Sequence, residues 1–347
     1  MNRGKSNYYL KSAKLNKAIQ NLVAEVGDTE DQDLLCQMVT TVLKLQTENV
    51  DRGDLKILNT AIKELRWAFR IFKPYRHVRK VSVFGSARIK EQNPSYRAAR
   101  EFSKLMVQSG WMIITGASTG IMRAGNEGAG REFSFGVNIR LPFEQVVNPV
   151  VLDDQKLIHF KYFFTRKLMF IKESDAICLF PGGFGTLDEG FEALTLAQTG
   201  KATPRPIVLV ENKKMRYWGT WSKFVKKCIL SPRMIDPVDL DLFQVAATPE
   251  EARDIIVQFY RNYHSMRFVS DRLVLRIQRA LSRSDLTRLN QKFAGILIKG
   301  KIEPSGPLAA EANEREVAFL PRLILYFDRR SYGRLKQLIN VINMMGD

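Results

Sequence analysis

Three short glycine-bearing stretches are places where the backbone could cradle an anion: Gly85-Ser86, Gly116-Ala-Ser-Thr-Gly120 and Pro181-Gly-Gly-Phe-Gly-Thr186. Glycine lets the main chain approach a phosphate closely, and a following helix adds free N–H donors and a favourable dipole. None of the three fits GxGxxG, which disfavours a dinucleotide-dependent redox enzyme. Three such loops in one sheet point to a nucleotide-type anion. The third runs directly into Thr186-Leu-Asp-Glu189, and two readings of that stretch compete. T-x-x-E at a helix start is a capping box, in which Thr186 bonds the N3 amide and Glu189 reaches back to the cap amide. The alternative is that Glu189 does chemistry beside the anion loop. The segment before it favours chemistry: residues 162–171 are apolar except for Thr165, Arg166 and Lys167. Such charges are costly to bury unless paired or turned toward an anion.

The elements around these loops read as an alternation. Strands are expected at Val81–Phe84, Trp111–Thr115, Phe135–Leu141, Ala176–Phe180 and Pro206–Val210, with helices at Tyr96–Gln108, Ile121–Gly130, Thr186–Thr199 and Pro249–Tyr260. Continuous apolar strands separated by helices imply a parallel sheet covered on both faces, with ligands beyond the strands' carboxyl ends. The fold class expected is therefore α/β, a doubly wound parallel-sheet Rossmann-like domain over residues 78–264. Residues 1–77 read as a helical N-terminal extension. There Leu55, Leu58, Ile62, Leu65, Phe69 and Phe72 recur at three- and four-residue steps, the pattern of a buried helical face. Residues 265–347 read as a small α+β C-terminal module, with strands at Leu273–Ile277, Lys299–Glu303 and Leu323–Phe327. Its helices are expected at Asp285–Leu297, capped by Ser284, and at Tyr332–Met344.

The 347 residues are 45% hydrophobic and 26% charged, ample for a sizeable core. No apolar run approaches the ~18 residues of a membrane span. The Lys-rich stretch from Met1 to Gln20 lacks the apolar segment of a secretory signal and reads as a basic helix or arm. Cys36, Cys178 and Cys228 are far apart without CxxC spacing, so neither a disulfide framework nor a zinc site is expected, and a cytoplasmic setting fits. His77, His159 and His264 are isolated and read as structural. The net charge of +18 is concentrated in the two flanks and favours anionic partners. Because the basic residues are interspersed with apolar ones, a solvated surface is the simpler reading.

Arg166-Lys167 followed by Pro181-Gly-Gly-Phe-Gly-Thr-Leu-Asp-Glu189 resembles the paired RK and PGGxGTxxE motifs of the LONELY GUY (LOG) family of cytokinin riboside 5′-monophosphate phosphoribohydrolases. The resemblance extends over residues 81–264, through Phe84-Gly-Ser-Ala-Arg88, Leu141-Pro-Phe-Glu144 and Glu192-Ala-Leu-Thr195. Two departures are Ala117-Ser118, where the family usually has glycines, and Arg123, where many relatives carry an acidic residue. The resemblance implies hydrolysis of the N-glycosidic bond of a nucleoside 5′-monophosphate, such as AMP or an N6-modified AMP, to free base and ribose 5-phosphate. It implies Arg166 and Glu189 as catalytic residues. Gly85, Ser86, Gly116, Gly120, Glu144, Lys167, Gly182, Gly183, Phe184, Gly185, Thr186 and Thr195 are implied for substrate binding. It requires no metal or cofactor, and it suggests a homodimer or higher homo-oligomer. Members are often labelled lysine decarboxylases, but nothing in the sequence argues for a pyridoxal phosphate site. Two other classes compete: a non-catalytic nucleotide sensor or carrier, and a single-stranded nucleic-acid-binding protein. The first would be expected to lack Arg166 or Glu189; the second would need aromatics on a basic face.

Overall fold

The computed structural model describes residues 8–27, 29–141, 146–211 and 216–345. The chain divides into two compact units, Met1–Glu64 and Leu65–Asp347. The first holds helices α1 (Ala13–Val26) and α2 (Gln32–Thr47) and most of α3 (Arg52–Phe72). Ser12 caps α1 by accepting the Leu15 N–H. The apolar stripe of α3 does not form one buried face. Leu55, Leu58, Ile62 and Phe69 are exposed, whereas Ala68 and Phe72 are buried in the core beneath and Leu65 packs against it.

The second unit is built on a seven-stranded parallel sheet: β1 (Lys80–Phe84), β2 (Met112–Thr115), β3 (Ser134–Ile139), β4 (Leu157–Phe160), β5 (Ala176–Leu179), β6 (Ile207–Val210) and β7 (Gln244–Ala246). Their order is β4-β3-β2-β1-β5-β6-β7. The chain winds outward from β1 in one direction, then returns to β5 and winds outward in the other. That reversal opens a crevice beyond the carboxyl ends of β1 and β5, where doubly wound sheets bind ligands. Every residue of β1, β2, β3, β5 and β6 is buried, because both faces are covered.

One face packs on the last turns of α3 together with α6 (Phe163–Glu173), α7 (Phe184–Gln198) and α8 (Tyr217–Phe224), through Phe72, Met169, Phe170, Ala193 and Trp218. The other packs on α4 (Pro94–Gln108), α5 (Ile121–Ala129) and α9 (Pro249–Phe259), through Phe102, Met106, Ile121, Ala124 and Ile256. The sequence does not signal β4, β7 or α8. The first two are only four and three residues long, and β4 carries a polar His159.

A second, antiparallel sheet follows, of β8 (Tyr263–Val269), β9 (Arg272–Ile277), β10 (Leu297–Ser305) and β11 (Arg322–Phe327), in the order β10-β11-β9-β8. Its helices α10 (Arg283–Phe293) and α11 (Tyr332–Asn343) close a separate core of Leu275, Leu289, Phe293, Leu325, Leu335 and Ile339. The cap of α10 is Ser282, not Ser284: its hydroxyl accepts the Asp285 N–H at 3.1 Å. On the opposite face Glu311, 2% exposed, accepts from Arg276 Nε at 2.9 Å and from the Leu308 N–H at 3.0 Å. Arg322 Nε lies 3.5 Å from its other oxygen. Burial works against the Glu311 charge, yet the Leu308 amide and Arg276 hold its carboxyl below the ordinary carboxylate range.

The end of helix α7 meets the segment Pro237–Leu242, against which Gly333 of α11 packs: Gln198 donates to Asp239 Oδ2 at 2.6 Å. Two residues on, Gly200 at φ +69° lies against Tyr332, where a Cβ would stand 1.8 Å from the ring's Cζ. No described helix is long and apolar enough to cross a membrane.

Candidate active site

The three glycine loops meet at the β1/β5 crevice and are tied to one another. Ser86 N–H donates to Pro181 O at 3.1 Å, Ile121 N–H donates to Ser86 O at 3.0 Å, and the Thr119 hydroxyl donates to Ala87 O at 2.8 Å. Such approach requires missing side chains. A Cβ on Gly120, which sits at φ +64°, would stand 2.2 Å from Ser86 O, and one on Gly182 would stand 2.1 Å from Thr186 Oγ1. On Gly85 it would strike Ile121. Gly183 and Gly185 differ: nothing lies within 4 Å of where their Cβ atoms would be. They face open space, the arrangement that leaves room for a ligand against the backbone.

That space is a cavity of about 930 Å³ lined by all three loops, by Arg166 and Glu189, and by Arg88, Met122, Phe163 and Tyr217 among others. Of the residues marked out by sequence, Gly85, Ser86, Gly116, Arg166, Gly182, Gly183, Phe184, Gly185, Thr186 and Glu189 line it together. Gly120 lies behind them as a buttress. Thr195 is exposed farther along α7, its carbonyl accepting from the Thr199 hydroxyl, and Lys167 turns to α7; neither lines the cavity. Glu144 lies outside the described residues.

The capping-box reading fails on geometry. Helix α7 begins at Phe184 with Gly183 as its N-cap, so Thr186 is the third helical residue and Glu189 lies more than a turn inside. Glycine can occupy an N-cap, and here the open backbone rather than a side chain starts the helix. The Thr186 N–H donates to Gly183 O at 3.1 Å, while Phe184 and Gly185 open the helix at the cavity lining, where a helix start leaves N–H groups without intrahelical acceptors. Glu189 is 6% exposed, and its Oε2 is buried with no hydrogen-bond partner among the described residues. Burial raises its carboxyl to about 7, against the pull of Lys167 and Arg166. Arg166 reaches the same place from α6. Its Nε donates to Val137 O at 2.8 Å, and its Nη2 would lie 2.5 Å from a Cβ on Gly116. Glycine at 116 is thus what admits the guanidinium. Burial lowers the Arg166 pKa while Glu189 raises it, but a guanidinium stays charged.

Residues 114–256 match the family described as "Possible lysine decarboxylase". The match spans less than half of the chain and falls within residues 81–264, the stretch whose motifs resemble the LOG family. Among solved structures, similarity is found to a molybdenum cofactor binding protein of Rippkaea orientalis (19% identity, 52% of this chain and 96% of that one, TM-score 0.37). The molybdenum cofactor carrier protein of Chlamydomonas reinhardtii is similar too (22%, 52% and 97%, 0.37), as is DNA processing protein A of Helicobacter pylori (14%, 53% and 82%, 0.37). No curated protein matches.

Both departures from the LOG-family pattern have local explanations. Arg123 pairs with Glu127 at 2.8 Å and Glu91 at 3.1 Å and does not line the cavity. Ala117 adopts φ +61°, a conformation that favours glycine, held by its N–H on Thr115 Oγ1 at 3.0 Å and its carbonyl on the Asn148 N–H at 2.9 Å. Sequence reasoning missed Tyr217, whose hydroxyl donates to Gly182 O at 2.7 Å. It lies more than thirty residues beyond the glycine motif, and no local spacing marks it.

Proposed function

We propose that this protein hydrolyses the N-glycosidic bond of a nucleoside 5′-monophosphate, with AMP or an N6-modified AMP as substrate. The observation that carries the reading is Glu189: a buried carboxylate with an oxygen unpartnered among the described residues, in one cavity with Arg166 and a loop whose glycines are open to a ligand. The 5′-phosphate rests on the amides at the start of α7, beside Gly183, Phe184, Gly185 and Thr186. The bond from C1′ to the base nitrogen then breaks, its electron pair leaving with the base. Cationic charge develops on the ribose, and ionised Glu189 stabilises it or takes a proton from the attacking water. Arg166 orients Glu189 and offsets negative charge on the phosphate or leaving base.

Lysine decarboxylation, which the family description names, is less well supported. A Schiff-base lysine must be available as a neutral amine. No lysine lines the cavity among the described residues, and Lys167 is held as an ammonium by Asp188 and Glu192.

Incubation of the purified protein with a nucleoside monophosphate panel, reading free base and ribose 5-phosphate, tests the proposal. Release from AMP but not from adenosine is expected, because the phosphate anchors the substrate. Tight nucleotide binding without release would instead make the protein a carrier or sensor. We further propose a homodimer or higher assembly. Phe184, 92% exposed at the cavity mouth, and Phe163, Phe164 and Leu168 on α6 present apolar surface that a second copy would cover. A monomer in light scattering at micromolar concentration would remove that claim.

A further inference from the structure

Lys167 follows Arg166 in α6, but the two side chains part. Arg166 goes to the cavity, whereas Lys167 Nζ sits 2.8 Å from Asp188 Oδ2 and 2.9 Å from Glu192 Oε2. Both acceptors belong to α7, and they are the residue before Glu189 and the residue three after it. Three carboxylates therefore fall within about one turn of a single helix, with Asp188 and Glu192 in the i, i+4 relation that places like charges side by side. Left alone, such a cluster would repel itself and make ionisation of its buried member, Glu189, still harder. One ammonium contributed by the neighbouring helix gathers the two outer carboxylates and stands against the third.

We propose that Lys167 is a positioning residue for Glu189: it fixes α7 against α6 through Asp188, at the cavity lining, and Glu192, outside it, and makes no contact with substrate. This rests on the hydrolase reading of the same site but assigns Lys167 a different part from the substrate contact that the family resemblance implies. The geometry supports it. Two of the three ammonium protons already have carboxylate acceptors, and the side chain lies outside the cavity lining. The carboxylates also outweigh burial and hold Lys167 more firmly charged than an ordinary lysine. The groups facing Glu189 are then Arg166 and Lys167 from α6 and Asp188 and Glu192 from its own helix.

The test compares Lys167→Met, Lys167→Arg and the double variant Lys167→Met/Glu192→Gln with the wild type. In Lys167→Met the rising limb of the kcat/KM pH profile should move up by about one unit, as expected when a near cation is removed from a carboxylate. The KM for the nucleotide at high pH should stay within about twofold. Lys167→Arg should keep the wild-type profile, and the double variant should recover part of the shift, since it removes one repelling charge. An unshifted profile with a tenfold or greater rise in KM would overturn the proposal and make Lys167 a phosphate ligand. A second readout needs no turnover: the pH dependence of the stability difference between wild type and Glu189→Gln, repeated with Lys167→Met in both. Its midpoint should rise by a similar amount. If nucleotides are not hydrolysed but this midpoint moves, the hydrolase reading fails while the positioning role stands; if neither profile moves, the positioning role fails.

Discussion

Glu189 and Glu311 are the same residue type at nearly the same depth, 6% and 2% exposed. They are treated in opposite ways. Glu311, on the face of the antiparallel sheet, is surrounded by donors: Arg276, Arg322 and the Leu308 amide. Its charge is balanced, its carboxyl is held low, and it has no lone pair to offer a ligand. Glu189 has an oxygen without a partner among the described residues and a carboxyl raised to about 7. A buried carboxylate that is fully bonded belongs to the fold; one left short of donors beside an open cavity is available for chemistry. The two regions set a carboxylate bonded into the fold against one left under-bonded at a cavity.

The sharpest way to break this contrast is to neutralise each carboxylate in turn. Glu189→Gln should reduce turnover by about a thousandfold or more, roughly 4 kcal/mol of transition-state stabilisation, with the fold retained. Assay of released base together with circular dichroism checks both halves. Near-normal turnover in a folded protein would return Glu189 to a structural role. Glu311→Gln should do the reverse. It leaves Arg276 and Arg322 buried with too little counter-charge, costing about 3–5 kcal/mol in denaturant unfolding, while the folded protein keeps its turnover.

A smaller effect concerns pH. The Glu189 carboxyl titrates near 7 in the folded protein against an ordinary 4.5. Its contribution to stability is therefore complete below pH 4.5 and lost as pH rises through 7. Glu189→Gln suffers no such loss, so its stability relative to wild type should grow by about 2–3 kcal/mol from about pH 5 to about pH 8. A flat difference across that range would mean that Glu189 is not the buried, under-bonded group described. The smallest effect lies in the loop that admits Arg166. Ala117→Gly relieves an alanine at φ +61° and should change stability by no more than about 1 kcal/mol, without loss of turnover.

The sequence made the parallel sheet readable because β1, β2, β3, β5 and β6 are apolar runs buried on both faces. It hid β8, where Tyr263-His-Ser-Met-Arg-Phe-Val269 alternates poorly and mostly lies half-buried. That the glycine loops, Arg166 and Glu189 gather at one cavity was legible because glycines after strands and charges in an apolar segment mark them, together with the motifs that resemble the LOG family. The start of α7 was not: Thr186 and Glu189 imitate a capping box, whereas a bare glycine, Gly183, caps the helix three residues before Thr186. The direction of Lys167 was also invisible, since adjacent positions on a helix point about 100° apart and only packing tells which one meets the cavity.

The contact of Gly200 with Tyr332 bears on how such chains can diverge. A residue after the helix that carries Glu189 has no room for any side chain because a ring from the antiparallel-sheet module covers it. Among descendants of this sequence, a side chain at 200 can be accepted only where the aromatic at 332 has already shrunk. The reverse order, loss of the ring first, leaves a gap that selection can later fill. The module and the end of α7 are thus bound to a shared history, and an alignment of close homologues should show positions 200 and 332 changing as a pair, with the aromatic the first to go.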